Sequence, residues 1–340
     1  MLDGALIGCG FFARNHLHAW NDLAAENQAR LVAVCDADPR KAEAAAAEFS
    51  VPRWYVDAAA MFAAERLGWV DVATTMQSHR ALCELAAHHR VPAIVQKPMA
   101  PTMADCVAMV AAAEAADVAL MVHENFRFQR PMLRARAVLD SGAIGEPVWA
   151  RISFRSGFDV YANQPYFYHE PELIVLDLGI HLADLARFFM GDVAHLSAET
   201  QQVRPGVRGE DMATLLVRHV SGAVSVLDMT YESRQLPDPF PQVLLTIEGR
   251  AGCLRVFQDY SMQVDTRDGS TTHDVSPKLL PWAERPWHAV QESVRATQAH
   301  FVDCLTHGRT PATSGRDNLA TFAMVRAAYA AARERRAIVP

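Results

Sequence analysis

Three stretches of this chain carry side chains whose type and spacing could do chemistry. The first is "AIVQKPMA" at 93–100, a short apolar run that ends in Gln96, Lys97 and Pro98. The chain holds 32 Lys plus Arg, yet its only lysines are Lys41, Lys97 and Lys278, so a lysine closing a buried-looking strand asks for a reason. An ammonium brings a compact positive charge to an oxygen that becomes alkoxide-like, a contact worth several kcal/mol in a dry site. Arginine is planar, bulkier and effectively always protonated, so it does not replace lysine freely there. The second stretch is "LDLGIHLADLARFF" at 176–189, where Asp177, His181 and Asp184 follow at intervals of four and three. On a helix all three line one face, so carboxylate and imidazole reach a common point. Histidine is the side-chain type that titrates nearest neutrality, which makes His181 a candidate acceptor for a proton leaving an alcohol. Gly179 costs a helix on the order of 1 kcal/mol relative to Ala and leaves room for a ligand or a neighbouring backbone. A capped surface helix with an Asp–His pair accounts for the same string.

The third stretch is Gly8-Cys9-Gly10-Phe11-Phe12-Ala13, a GxGxxA that closes one apolar run and opens a helical one. Gly8 permits the tight turn, Gly10 lets backbone approach a pyrophosphate, and Ala13 lets helix and strand pack closely. The helix start offers N–H groups and a positive dipole end to phosphates. Asp36 follows at the end of the next run, where a carboxylate bonds a ribose hydroxyl and repels a 2′-phosphate. This favours NAD over NADP, with Arg40 close enough in sequence to soften the preference and keep NADP open.

These residues need a scaffold. Apolar runs at 4–10, 29–36, 70–75, 92–96 and 118–122 alternate with Ala-rich amphipathic stretches such as 39–49 and 103–116. Such alternation predicts a parallel, doubly wound α/β sheet covered on both faces. From about residue 123 strand-like runs follow one another directly, at 146–158, 211–222, 223–233 and 242–257, with a loop at 234–241 and two closing helices around 288–307 and 316–335. This second pattern predicts an α+β domain on a large, mostly antiparallel sheet. A length of 340 residues exceeds what one core usually serves. The expected division is 1–122 for dinucleotide binding and 123–340 for substrate binding and oligomerisation.

Composition narrows the class. Hydrophobic residues make up 51% and charged residues 21%, as in ordinary soluble domains. A net charge of −7 with scattered arginines argues against nucleic acid. No apolar stretch reaches the ~18–20 residues of a membrane span, and no secretion signal is read at the start. Six cysteines without a CxxC pair match neither a zinc site nor a disulfide framework, so no metal is expected and a reducing, cytoplasmic setting is.

Together "GCGFFA", "QKP" and "DLGIH" resemble the Gfo/Idh/MocA family of nicotinamide-dependent sugar and cyclitol oxidoreductases. The likeness covers nearly the whole chain, including "ENFRF" at 124–128, "IEGRAGCLRV" at 247–256 and the segment 308–332. It implies a Rossmann domain, with Lys97 beside the nicotinamide on the hydroxyl being oxidised, and Pro98 fixing the chain direction through a cis bond. It further implies His181 as the base, Asp177 as its partner or the substrate's, and Asn125 and Arg127 near the nicotinamide or substrate mouth. Asn125 and Arg127 serve equally as a structural hydrogen-bonded turn. His79 matches a histidine common after the fourth strand, on the cofactor side or in a structural role. Two departures stand out. Gln96 occupies the place of the family's usual Glu, removing a carboxylate partner from Lys97. Thr75-Met76 replaces the usual Pro-Asn. Both bear on cofactor contacts.

Substrate contacts are expected from "RISFRSGFDVY", through Phe158 and through Arg155, which either binds sugar hydroxyls or forms a structural ion pair. The resemblance implies oxidation of C1 of a cyclic aldose such as D-apiose to a lactone, with NADH as co-product, in a homo-dimer or homo-tetramer. Oxidation of myo-inositol or another cyclitol, elimination through transiently reduced NAD, and a non-catalytic NAD-binding scaffold are the alternatives. Retention of both Lys97 and His181 speaks against the scaffold. Unclustered Cys and His disfavour a zinc alcohol dehydrogenase.

Overall fold

The computed structural model describes residues 1–340, which divide into two compact units. One comprises Met1–Asn125 and Ser293–Leu319, the other Phe126–Glu292 and Ala320–Pro340. This corrects the single cut at 122/123. The return of 293–319 to the first unit has a local cause: the Thr313 carbonyl accepts the Val122 N–H, the Thr313 hydroxyl donates to the Val122 carbonyl, and Arg316 pairs with Glu114.

The first unit runs β1 (Leu2–Ile7), α1 (Ala13–Ala25), β2 (Ala29–Cys35), α2 (Pro39–Phe49), β3 (Arg53–Tyr55), α3 (Ala58–Ala64), β4 (Trp69–Val72), α4 (Met76–His88), β5 (Ala93–Gln96), α5 (Met103–Ala115) and β6 (Leu120–His123). Its six strands are parallel, in the order β3-β2-β1-β4-β5-β6. Leu6, Val34, Val70, Ile94 and Val122 are fully buried, as expected of a sheet covered on both faces. Helix starts are fixed by short polar side chains: Asp38 accepts the Arg40 N–H ahead of Pro39, Asp57 that of Ala60, and Thr102 that of Asp105. The order reverses direction between β1 and β4, and such sheets bind ligands at the carboxyl edge beside that switch point.

The second unit contains α6 (Arg130–Asp140), β7 (Pro147–Arg155), α7 (Ile180–Met190), β8 (Val193–Gln201), β9 (Met212–His219), β10 (Val224–Thr230), β11 (Leu244–Gly249), β12 (Gly252–Val256), β13 (Ser261–Thr266) and β14 (Gly269–Asp274). Its eight strands run in the order β14-β13-β12-β11-β7-β10-β9-β8, antiparallel except for β7 beside β10. Burial alternates along β9, so one face of that strand is covered. The closing helices α8 (His288–His307) and α9 (Gly315–Glu334) each have residues assigned to both units. Strands β3, β8, β13 and β14 were not anticipated. The first is three residues long, and β14 is exposed throughout, so neither presents an apolar run.

Candidate active site

At the carboxyl edge of β1 the chain turns at Gly8, whose φ of +98° suits glycine and whose added Cβ would lie 2.8 Å from the Ala73 backbone. Gly10 differs: a Cβ there would meet nothing within 4 Å, so the backbone faces open space, as close approach of a phosphate requires. Ala13 is buried at the start of α1, Phe11 is exposed, and Phe12 sets its ring edge against His16. No side chain caps α1, which leaves its N-terminal end to serve an anion. Asp36 follows β2 and accepts the Cys9 N–H at 2.7 Å and the Asp38 N–H at 2.9 Å. Each carboxylate oxygen has a second lone pair, so Asp36 can hold the glycine turn and also take a ribose hydroxyl. Arg40 is exposed and pairs with Asp38 at 3.1 Å, which lowers the Asp38 pKa through the side-chain hydrogen bond. Its charge is offset where a 2′-phosphate would need it. These residues fit NAD.

Lys97 follows β5 at the same edge, half-buried, and its peptide to Pro98 is cis. Gln96 accepts the Lys97 backbone N–H at 2.7 Å. His79 braces the turn from α4: its Nδ1 lies 3.1 Å from the Pro98 carbonyl and 3.2 Å from that of Met99, and Nε2 lies 3.1 Å from the Thr74 carbonyl. Burial lowers the His79 pKa, opposed by those carbonyls. His79 is therefore a clamp between the turns after β4 and β5. Thr75 starts α4 in extended backbone, exposed at the same edge.

In the second unit the expected helix begins differently. Residues Val175–Gly179 form a π-helical turn, and α-helix resumes at Ile180, so Asp177 and His181 do not sit on a regular α-helical face. The turn is pinned from outside. Glu210 Oε1 accepts the Leu173 and Val175 N–H groups and the Tyr329 hydroxyl, and that hydroxyl in turn accepts the Leu176 N–H. Asp177 accepts the Tyr231 hydroxyl at 2.7 Å. Burial, followed by the Asp177 carboxylate, holds the Tyr231 pKa far above its ordinary value, so the phenol stays a donor. The His181 ring stacks on Phe126 at 3.8 Å with planes 5° apart, which fixes its orientation. Gly179 makes room not for a ligand but for Met229, whose Sδ would lie 2.9 Å from an added Cβ.

Asp184 leaves the expected trio. It is fully buried and accepts from Arg127 Nε at 2.7 Å and Nη2 at 2.5 Å, with Thr321 at 3.4 Å. Arg127 is thereby paired with Asp184 within the second unit and lies over the Phe188 ring. Asn125, two residues earlier, belongs to the first unit and donates to Ser293 at 2.7 Å. Arg155 lies 3.8 Å from Asp228, which also binds Arg151 at 2.8 Å. Phe158 stacks on Phe240 at 4.0 Å with Trp287 edge-on, an apolar platform. Sequence reasoning missed Tyr231, Glu210 and Tyr329, each of which meets its partner across a long stretch of chain. A tyrosine closing a strand was the one available signal.

Comparison with known proteins gives three findings. The model of the oxidoreductase family GFO_IDH_MocA, NAD-binding Rossmann fold, matches residues 2–124, and the GFO/IDH/MocA C-terminal domain model matches 132–255. D-Apiose dehydrogenases of Rhizobium rhizogenes and Paraburkholderia graminis are each 52% identical, over 99% and 98% of this chain and 97% and 88% of their own lengths. A solved oxidoreductase from Agrobacterium radiobacter, in complex with NAD+, L-tartaric acid and magnesium, is 51% identical with a TM-score of 0.97, covering 99% of this chain and 98% of that one.

Proposed function

This chain belongs to the Gfo/Idh/MocA family of oxidoreductases, and from that premise we propose that it is an NAD-dependent dehydrogenase that oxidises C1 of cyclic D-apiose to the lactone. The observation that carries the reading lies at one edge of the first sheet. The glycine turn after β1, Asp36 after β2, and Lys97 after β5 all stand at the carboxyl ends of parallel strands flanking the switch point. The identity to two D-apiose dehydrogenases over nearly the full chain supports the substrate.

NAD, when bound, supplies the acceptor for the hydride leaving C1. The glycine turn and the start of α1 hold its pyrophosphate, and Asp36 holds a ribose hydroxyl. Lys97 donates to the C1 oxygen and steadies the negative charge that grows there. His181 takes the hydroxyl proton, and Asp177, held by Tyr231, orients substrate or imidazole. Arg127 and Asp184 hold the turn ahead of α6 to α7 as a buried ion pair. Phe158 offers a flat apolar face for a sugar ring to lie on. We further assign the enzyme to the reducing cytoplasm, in keeping with its six free cysteines, and expect a homo-dimer or homo-tetramer. No helix is long and apolar enough to cross a membrane.

The test is a screen of D-apiose, other aldoses and myo-inositol with NAD or NADP, following absorbance of the reduced cofactor. D-Apiose with NAD should react fastest and yield a lactone. Faster turnover of myo-inositol would replace the substrate assignment, and no reduced cofactor with any sugar would leave only a scaffold.

A further inference from the structure

Behind Lys97 the first unit contains a continuous line of polar groups, half-buried at Gln96 and fully buried at His16 and Asp71, that the proton path does not use. Gln96 Oε1 accepts the Lys97 backbone N–H at 2.7 Å. Gln96 Nε2 lies 3.1 Å from His16 Nε2. His16 Nδ1 lies 2.7 Å from Asp71 Oδ2, both side chains having no solvent exposure. The same Oδ2 receives the Trp20 Nε1–H at 2.7 Å and Gln298 Nε2 at 3.3 Å. His16 and Trp20 come from one face of α1, Asp71 from the middle of β4, Gln298 from α8.

The direction of every proton in this line follows from one group that has no choice. A backbone N–H can only donate, so Lys97 fixes the Gln96 oxygen toward itself. The Gln96 amide nitrogen must then face His16, and it too can only donate. His16 Nε2 is therefore an acceptor, and its proton lies on Nδ1, pointing at Asp71. The result is a neutral imidazole between an amide and a carboxylate, with each donor aimed the same way. Such aligned bonds polarise one another in a low-dielectric interior. A glutamate at position 96 would present only acceptors and would need a proton on His16 Nε2, so glutamine is the residue this line requires.

We propose that Asp71, His16 and Gln96 form a positioning chain for the Lys97 ammonium, tying the backbone of the lysine turn to α1, the helix whose start cradles the cofactor. The chain ends on the Lys97 backbone N–H and not on its ammonium, so its members are positioning residues. Its value is geometric: the turn that carries Lys97 and the helix that carries the pyrophosphate are joined through Gln96 and His16, with Asp71 anchoring His16 to β4 within one unit. Misplacement of a catalytic group by about 1 Å costs on the order of a hundredfold in rate. The proposal rests on Lys97 acting on the substrate.

The test is a double-variant cycle with Gln96→Leu and Lys97→Ala in the full-length chain, reading kcat with D-apiose, NAD affinity and the melting temperature. Gln96→Leu should lower kcat by about tenfold to a hundredfold with NAD affinity retained. In the Lys97→Ala background the same change should add nothing, because its effect runs through the lysine. Full turnover in Gln96→Leu, or a loss that multiplies with that of Lys97→Ala, overturns the positioning chain while leaving Lys97 in place. Unchanged turnover in Lys97→Ala alone removes the reading of Lys97 and the chain with it. A second measurement needs no variant: nitrogen NMR of His16 in the wild-type protein should show a neutral ring protonated at Nδ1. An imidazolium or an Nε2–H tautomer contradicts the derived proton order.

Discussion

Lys97 is delivered by a strand that simply ends, and the groups that hold its turn include its own neighbour Gln96 and His79 on α4. Asp177 is delivered by a π-helical turn that no local signal specifies, held by Glu210, Tyr231 and Tyr329 from distant parts of the second unit. The first unit thus carries its candidate chemistry on regular elements at a sheet edge. The second carries it on an irregular turn whose shape depends on braces. π-Turns recur at functional sites because the extra residue re-aims side chains. A change to a brace should therefore disturb the second unit's site more widely than a comparable change disturbs the first.

Asp184→Ala should have the largest effect, because it removes the carboxylate that a buried Arg127 faces through two hydrogen bonds. Breaking such a pair costs about 3–5 kcal/mol, which urea unfolding will read as a lower midpoint. A variant as stable as wild type would show that the second unit does not lean on this pair. Tyr231→Phe comes next. It removes one hydrogen bond to a carboxylate, worth about 1.5–3 kcal/mol, and should lower kcat/KM for sugar by about tenfold or more without changing NAD affinity. If NAD affinity fell instead, the assignment of Asp177 to the substrate side would be wrong.

Asp36→Ala sharpens the comparison from the other side. It should cut the preference for NAD over NADP by about tenfold, measured as the ratio of kcat/KM values, since the acceptor for a ribose hydroxyl is lost. An unchanged ratio would move cofactor discrimination elsewhere. The smallest effect concerns acid. Burial lowers the pKa of His79 in the first unit and of His219 in the second. A depressed folded-state value means the unfolded chain binds more protons below the ordinary histidine range, about pH 6.5. Stability should therefore fall as pH drops from that value toward 5, and His79→Gln should flatten the slope. A flat profile in the wild type would contradict buried neutral histidines.

The glycine turn, Asp36 and the lysine turn were legible because each is a short string at the end of an apolar run, and sheet order then places them at one edge. The parallel sheet was legible for the same reason, since its strands are buried on both faces. The trio Asp177, His181 and Asp184 was only half legible. Helical spacing is a local rule, and the bidentate claim of Arg127 on Asp184 comes from 57 residues away. Gly179 read as space for a ligand or a neighbouring backbone because a sequence shows the missing side chain but not Met229, which fills the gap. The assignment of 293–319 to the first unit likewise arises from contacts with Val122 and Glu114 that no periodicity announces. Asp71 inside "WVDV" was a signal left unread: an acid in the middle of a buried strand needs donors, and His16 and Trp20 supply them.

The central claim is that one lysine assists hydride removal from a sugar on an NAD-binding domain. The most direct measurement compares NADH formation from D-apiose by wild type and Lys97→Ala, with NAD affinity determined in parallel. A loss of ~10²-fold or more in turnover at nearly unchanged NAD affinity is the predicted result. Equal turnover by the two proteins would contradict the account.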